Sequence, residues 1–576
     1  MKKIYLVFLC IHFSILVVSQ TKNDFITTFE KSNGTETATY KQTIQFYSDL
    51  ADRYSEIQLQ EIGQTDSGKP LHIAILNPDK EFDFLEIKEN KTVLLINNGI
   101  HPGESDGIDA TMMLYRDIVQ GKIKVPKNVI LVTIPIYNVG GSLNRNSHSR
   151  TNQNGPKAYG FRGNARNFDL NRDFIKNDTK NAKTFAKIFH IVNPDVFIDN
   201  HVSNGADYQY SLTHLFTQHN KLGGSLGNYI HSKMMPELEK KLSEKKWDIT
   251  PYVNVFNSTP EKGFSQFMDY PRYSTGYTTL FNTLGMMVET HMLKPYKQRV
   301  EGTYELMKSM LAIMEENSTE IKTIRRDYYK TILQQKNYPL NWEVDTTQTS
   351  TLNFKGFEGK MIPSEITGKL RLKYDRSKPF TKKITYQNYF KPTTEIAIPK
   401  GYIIPQGWYN VIDLLKINNI KMKAIDKDTT FNVESYRILE YNTRKSAYEG
   451  HYQHYNTSIE SKRKDMTFKS GDYLVYTNQP GVRYLLETLE PQGPDSFFNW
   501  NFFDTILQQK EGFSPYVWED LAKEILDTNS ALKKTFEDKR ANDDNFANNW
   551  YAQLKWIHTH SDYYEKAHME YPIYRF

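Results

Sequence analysis

Thr92-Val-Leu-Leu-Ile-Asn-Asn-Gly-Ile-His-Pro-Gly-Glu104 decides the reading of this chain. The run Thr92–Ile96 is short, apolar and bounded by Asn and Gly, the mark of a strand buried on both faces. Pro102 and Gly103 bar a helix through the pair that follows. His101 and Glu104 therefore sit on a tight turn where both can face one ion. Two more runs end in the same way: Val196-Phe-Ile-Asp-Asn-His201 on His201, and Met286-Met-Val-Glu289 on Glu289. Each looks like the carboxyl end of a buried strand, the edge where open α/β sheets bind ligands. Two histidines and a glutamate with a fourth position open are the pattern of a catalytic zinc site rather than a structural one. A second carboxylate beside such a site can act as general base on the attacking water. The residues alone thus point to a zinc hydrolase.

Outward from these strands, strand-like and helix-spaced segments alternate. Gln60–Leu76 reads as a hairpin turning at Thr65–Pro70, and Asn128–Pro135 as another buried strand. Ile108–Val119, Asn181–Val192, Leu222–Leu242 and Glu301–Asn317 carry helical spacing, with strands at Asp195–Asn200 and Gly285–Glu289 between them. This alternation predicts an α/β fold, with a mixed, mostly parallel sheet flanked by helices. We place that catalytic domain at 21–330, its first stretch to about residue 65 being a pro-segment or leading helices. A β-rich module follows at 331–400, and an α/β and helical region at 401–576. Within the last, Tyr402–Ile425 reads as strand–helix–strand, Tyr473–Tyr476 as a strand and Val482–Leu489 as a helix. Everything from Phe497 onward reads as helical.

Residues 1–20 read as a cleaved signal peptide: Lys2 and Lys3, then the apolar Ile4–Val18, then Ser19-Gln20-Thr21. The apolar stretch is shorter than the roughly 20 residues of a membrane span. A lipoprotein signal using Cys10 is disfavoured, since Val7-Phe8-Leu9 lacks small residues. The expected location is secreted or periplasmic. Cys10 is the only cysteine, so the mature chain has neither a disulfide nor a thiolate ligand. Losing Lys2 and Lys3 takes the formal charge from +6 to +4, which gives no case for nucleic-acid binding. No later stretch is apolar enough to span a membrane.

Arg162-Gly-Asn-Ala-Arg-Asn-Phe-Asp-Leu-Asn-Arg-Asp-Phe174 carries a more specific signal. It resembles the stretch that zinc metallocarboxypeptidases of the carboxypeptidase A type hold between the His-x-x-Glu pair and the last zinc-binding His. The match is at Arg162, Asn164, Ala165, Asp169, Leu170, Asn171, Arg172 and Phe174. Asp173 and Arg166-Asn167 depart from it. The resemblance implies one Zn2+ per chain on His101, Glu104 and His201, with Glu289 as general base. It implies that Arg162 polarises the scissile carbonyl, and that Asn171 and Arg172 hold the terminal carboxylate of a peptide substrate with a free C-terminus. A planar guanidinium suits that bidentate contact. The acid at Asp173 would either weaken this clamp or order Arg172. Tyr270, Tyr273 and Tyr277 are candidates for the family's tyrosine, none of them assigned, and the side-chain pocket falls within Gly263–Thr279.

Two rival readings stand beside C-terminal peptide hydrolysis. One is a zinc amide hydrolase acting on cell-wall peptides or acyl-amino acids. The other is a peptide-binding protein of the same fold without catalysis, which the full residue set argues against. His291 and Lys294 are candidates to orient the site. In the C-terminal region, His451, His454, His558 and His560 read as surface pairs rather than metal ligands. Tyr452, Tyr455, Trp500 and Trp550 read as core packing rather than a binding groove.

Overall fold

Thr65-Asp-Ser-Gly68 turns the chain between β1 (Ile57–Gln64) and β2 (Pro70–Leu76). The Thr65 hydroxyl donates to the Lys69 carbonyl at 2.7 Å and Gly68 takes φ +74°, so local chemistry closes this antiparallel hairpin. Then come β3 (Thr92–Asn97), β4 (Val129–Ile134), β5 (Val196–Ser203), β6 (Leu212–Phe216), β7 (Ile249–Pro251), β8 (Phe264–Ser265) and β9 (Leu284–His291). The computed structural model describes residues 25–576, and the expected signal segment 1–20 lies outside them. All of these strands but β8 form one eight-stranded sheet, in the order β1-β2-β4-β3-β5-β9-β6-β7. β4, β3, β5 and β9 run parallel at its centre, while β1–β2, β2–β4 and β9–β6 are antiparallel.

Every residue of β3, β4 and β5 is buried, as a parallel centre covered on both faces requires. Side-chain alternation along β5 sets the two layers. Phe197 packs on Phe185 of helix Lys180–Val192, and Asn200 meets Met307 of helix Tyr296–Ile332. Helix Asp106–Val119 lies under the latter and is buried over all but its last residue. The fully buried Arg299 ties this layer together. Its Nε meets Asp106 at 3.0 Å, and it donates to the carbonyls of Asn154, Lys294 and Gly155 at 2.9, 2.7 and 2.9 Å.

Three expectations change. Leu222–Leu242 is not one helix: Gly223 and Gly224 take positive φ, a π-helical turn spans Ile230–Met234, and regular helix resumes at Met235–Glu244. The Glu301–Asn317 helix runs from Tyr296 to Ile332, with a local irregularity at Asn317. The C-terminus is not helical throughout. Helices Pro515–Thr528, Ser530–Asn542 and Trp550–Thr559 form, but the chain ends on a short strand.

Beyond residue 332, β10 (Asn337–Val344) pairs with β13 (Phe390–Ala397), and β11 (Ser350–Pro363) with β12 (Leu370–Gln387) form a long hairpin. β8 adds to β12 in parallel through Phe264 and Ser265. A six-stranded sheet follows, built from β14 (Gly401–Ile404), β15 (Lys423–Ala424), β16 (Thr429–Thr443), β17 (His454–Phe468), β18 (Tyr473–Tyr476) and β19 (Tyr574–Arg575). One hydrophobic core runs from the eight-stranded sheet into this region. Arg483, fully buried, donates across the junction to the carbonyls of Lys221 and Leu222 at 2.6 and 3.2 Å. Of the four C-terminal aromatics, only Trp500 is core; Tyr452, Tyr455 and Trp550 are exposed. No helix among the described residues is long and apolar enough to cross a membrane.

Asp109, fully buried in helix Asp106–Val119, accepts from Tyr296 Oη and from the Ala38 amide. Burial pushes its carboxyl up to about 6, with Thr37, Tyr296 and Ala38 opposing. The folded value lies above the unfolded one, so its contribution is fully present below about pH 4 and is lost as pH rises through 6. Asp109→Asn cannot ionise. Its melting temperature should fall less than that of the wild type between pH 4 and 7, and parallel melting curves would remove Asp109 as the source.

Candidate active site

Three elements deliver the expected residues to one sheet edge. The turn after β3 carries His101 and Glu104, closed by the Glu104 amide on the His101 carbonyl at 2.8 Å. β5 carries His201 and β9 carries Glu289. These two strands are parallel with His201 opposite Glu289, so both side chains stand on one face. Gly103 is required by packing: a Cβ there would lie 2.5 Å from Cδ of Arg150, which crosses it to reach Glu104 Oε1 at 2.6 Å.

His101, Glu104 and His201 are each 3% exposed, and one ligand atom from each lies within 4.8 Å of the others. Both imidazoles are oriented from behind. His101 Nε2 meets Asp169 Oδ1 at 2.9 Å, and His201 Nε2 meets Asp199 Oδ2 at 2.9 Å. Asn97, opposite Asp199 on β3, donates to the other Asp199 oxygen at 2.9 Å. Carboxylate partners keep the proton on Nε2 and turn the Nδ1 lone pairs inward. Those two nitrogens lie 3.2 and 3.1 Å from Glu104 Oε2. When both imidazoles are neutral, three acceptors converge on one small buried volume, an arrangement that a cation in place of the ring protons would hold together. The donor set fits zinc with its fourth position open.

The surrounding charge has the same sense. Burial alone would raise the Glu104 carboxyl, but Arg150 and His101 outweigh it and hold it well below the usual range. Asp169 is likewise held low against burial by His101, Arg162 and Arg172. Glu289 goes the other way. Burial pushes it up to about 7, with His201 opposing and the Glu104 charge adding.

Arg162 donates through Nε and Nη2 to Asp169 Oδ2 at 3.0 and 2.8 Å, leaving Nη1 3.6 Å from Glu104 Oε1. Its side chain is 43% exposed and faces the cleft. Asn171 accepts from the Ser274 amide at 3.2 Å. Arg172 lies 4.6 Å over the Tyr273 ring and donates once, to the Asn171 carbonyl at 2.7 Å, so most of its donors remain available. Asp173 does not compete for it. The Asp173 carboxylate takes up Lys176 Nζ, the Asp178 and Thr179 amides and the Thr179 hydroxyl, at the start of helix Lys180–Val192.

Other expectations are redirected. Tyr270 donates to Asn341 and Tyr277 to Asn418, both away from the metal-binding group, and Tyr273 serves as the platform under Arg172. Tyr252, which the sequence did not single out, follows β7. Its phenol is raised by burial and then by Glu289, Tyr208 and Glu104, which puts it within their electrostatic reach. His291 pairs with Asp207 at 3.0 Å and stacks on Tyr208, and Lys294 lies over Phe357. The orienting role proposed for those two falls instead to Asp169 and Asp199. Asp199 was findable: two residues before His201 on a strand, it shares that face. Asp169 was visible only as a motif position.

Residues 43–195 match the zinc carboxypeptidase family, a span that includes His101, Glu104, Arg162, Asn171 and Arg172 but stops before His201 and Glu289. The chain is similar to carboxypeptidase 2 of Trichophyton rubrum, 21% identical over 506 residues, covering 81% of this chain and 84% of that one. Carboxypeptidase 2 of Trichophyton equinum is 21% identical over 436 residues, 71% and 73% of the two chains. Among solved structures, a metallo-carboxypeptidase from Burkholderia cenocepacia aligns with a TM-score of 0.36 and 16% identity, over 48% of this chain and 69% of that one. Residues 43–195 thus carry a zinc carboxypeptidase domain, and that match, the Trichophyton carboxypeptidases and the His-Glu-His group support a metallocarboxypeptidase enzyme.

Proposed function

We propose that the protein removes C-terminal residues from peptides, with zinc on His101, Glu104 and His201 and with Glu289 as general base. The observation that carries this reading is the convergence of two imidazole Nδ1 atoms and a carboxylate oxygen beside Glu289 and an available Arg172. Zinc held there supplies Lewis acidity to the scissile carbonyl and acidifies the attacking water. Glu289, opposite His201 on the neighbouring strand, takes a proton from that water and returns it to the leaving amine. Arg162, braced by Asp169, donates to the carbonyl oxygen as charge develops on it. Asn171 and Arg172 hold the terminal carboxylate, the charge that marks a chain end.

Metal analysis of the mature chain should find one zinc. His101→Ala, Glu104→Ala or His201→Ala should lose it, and Asp199→Asn should bind it about 10–100-fold more weakly. Full zinc occupancy and wild-type turnover in any of the three alanine variants would remove that residue from the set. Glu289→Gln should retain zinc and substrate binding while kcat falls by roughly 10²–10⁴-fold or more; near-normal kcat would assign the base elsewhere.

Losing a charge-assisted contact in a dry site costs on the order of 2–5 kcal/mol. Amidating a peptide's C-terminus should therefore slow its cleavage by about 30-fold to several thousand-fold. Arg172→Ala should slow the free acid strongly and the amide little, because both changes remove one interaction. Equal rates on acid and amide would point instead to an endopeptidase or an amide hydrolase.

A further inference from the structure

The link between β16 and β17 leaves the C-terminal sheet and reaches the catalytic cleft. Glu449, at its tip, takes φ +49°, a left-handed conformation that side chains other than glycine's rarely adopt. Its Oε2 accepts from the Asp169 backbone amide at 2.8 Å. The next residue, Gly450, lies against Phe168 so closely that a Cβ there would stand 3.2 Å from the ring. His451 Nε2 meets Asp178 Oδ2 at 2.7 Å. Further along, Gln453 accepts from Arg272, whose Nε pairs with Asp495 at 2.9 Å. This one link therefore runs along Phe168–Asp178 and holds Arg272, the two segments that flank Arg172 and Tyr273.

Asp169 is where that contact matters. One of its oxygens meets His101 Nε2 and the Asn171 amide, both at 2.9 Å, and the other meets Arg162 Nε and Nη2. A shift of the Asp169 backbone would move a candidate metal ligand, the carbonyl-polarising arginine and the start of the carboxylate clamp together.

We propose that Glu449 is a positioning residue of the active site. Through the Asp169 amide it sets the carboxylate that orients His101 and Arg162, and region 401–576 thereby supplies a working part of the catalytic centre. The inference rests on the roles given above to His101 and Arg162. It assigns the C-terminal region a task that neither its composition nor its strand pattern suggests.

The test uses the full mature chain and three readouts: zinc affinity by competition with a chromophoric chelator, kcat and KM on a free-acid peptide, and the melting temperature. Glu449→Ala should melt with the wild type while zinc affinity and kcat each fall about 10–100-fold. Glu449→Gln keeps an oxygen that can accept from the Asp169 amide, and should stay within about threefold of wild type. Glu449→Asp keeps the charge but is one methylene too short to reach, and should resemble the alanine variant. Wild-type zinc affinity and kcat in Glu449→Ala would overturn the proposal. If that variant does not fold, wild-type values in Glu449→Asp overturn it equally. A chain that binds zinc but cuts no free-acid peptide sinks the exopeptidase reading only, because the zinc affinities of the three variants still decide the role of Glu449.

Discussion

The parallel pairing of β3, β5 and β9 is the constraint on which the site depends. Parallel strands joined by crossovers end at a common edge, so the turn after β3, the end of β5 and the end of β9 meet there without any further device. The register fixes the rest. His201 stands opposite Glu289 because β5 and β9 pair residue for residue from Val196 and Leu284 onward. A slip of one residue would turn Glu289 to the other face and bring Thr290 to the cleft. Thr290 is committed to that other face, where its hydroxyl donates to Asp106. The Arg299 cluster that also holds Asp106 therefore protects the register of the site from beneath.

Charge is the second organising feature. Glu104, Asp169, Asp199 and Glu289 crowd a buried edge, and Arg150, Arg162 and Arg172 face them. Buried charge is costly unless it is paired and hydrogen-bonded. Each carboxylate but Glu289 has such partners, and burial raises Glu289 while Glu104 and Asp169 stay low. The same environment explains the histidines. A carboxylate behind each ring fixes its tautomer, so the imidazoles are oriented before any metal arrives.

The C-terminal region is continuous with the catalytic core rather than tethered to it. Arg483 is buried against the carbonyls of Lys221 and Leu222, β8 joins β12, and Trp500 and Tyr484 share a core with β3 and β5. An interface of that kind holds a loop rigidly enough for Glu449 to act at Asp169.

The sequence by itself determined the α/β class, the strand ends that carry His101, Glu104, His201 and Glu289, and the motif from Arg162 to Phe174. These are local properties: apolar runs of fixed length, turn residues, and residue types at short spacing. Elements without such a signature were missed. β17 carries Glu460, Lys462, Arg463 and Lys464 and shows no apolar alternation, β16 alternates only briefly at Phe431 and Val433, and Gly223-Gly224 breaks a helix whose spacing otherwise reads through. Tertiary structure alone decided what lies behind and beside the motif residues. Asp173 turns to Lys176 and the Thr179 amide, Asp199 and Asp169 orient the two imidazoles, and Glu449 reaches Asp169 from 280 residues away. Contacts across such separations leave no periodic trace, because a hydrogen bond fixes only where two groups meet in space and not how far apart they lie along the chain.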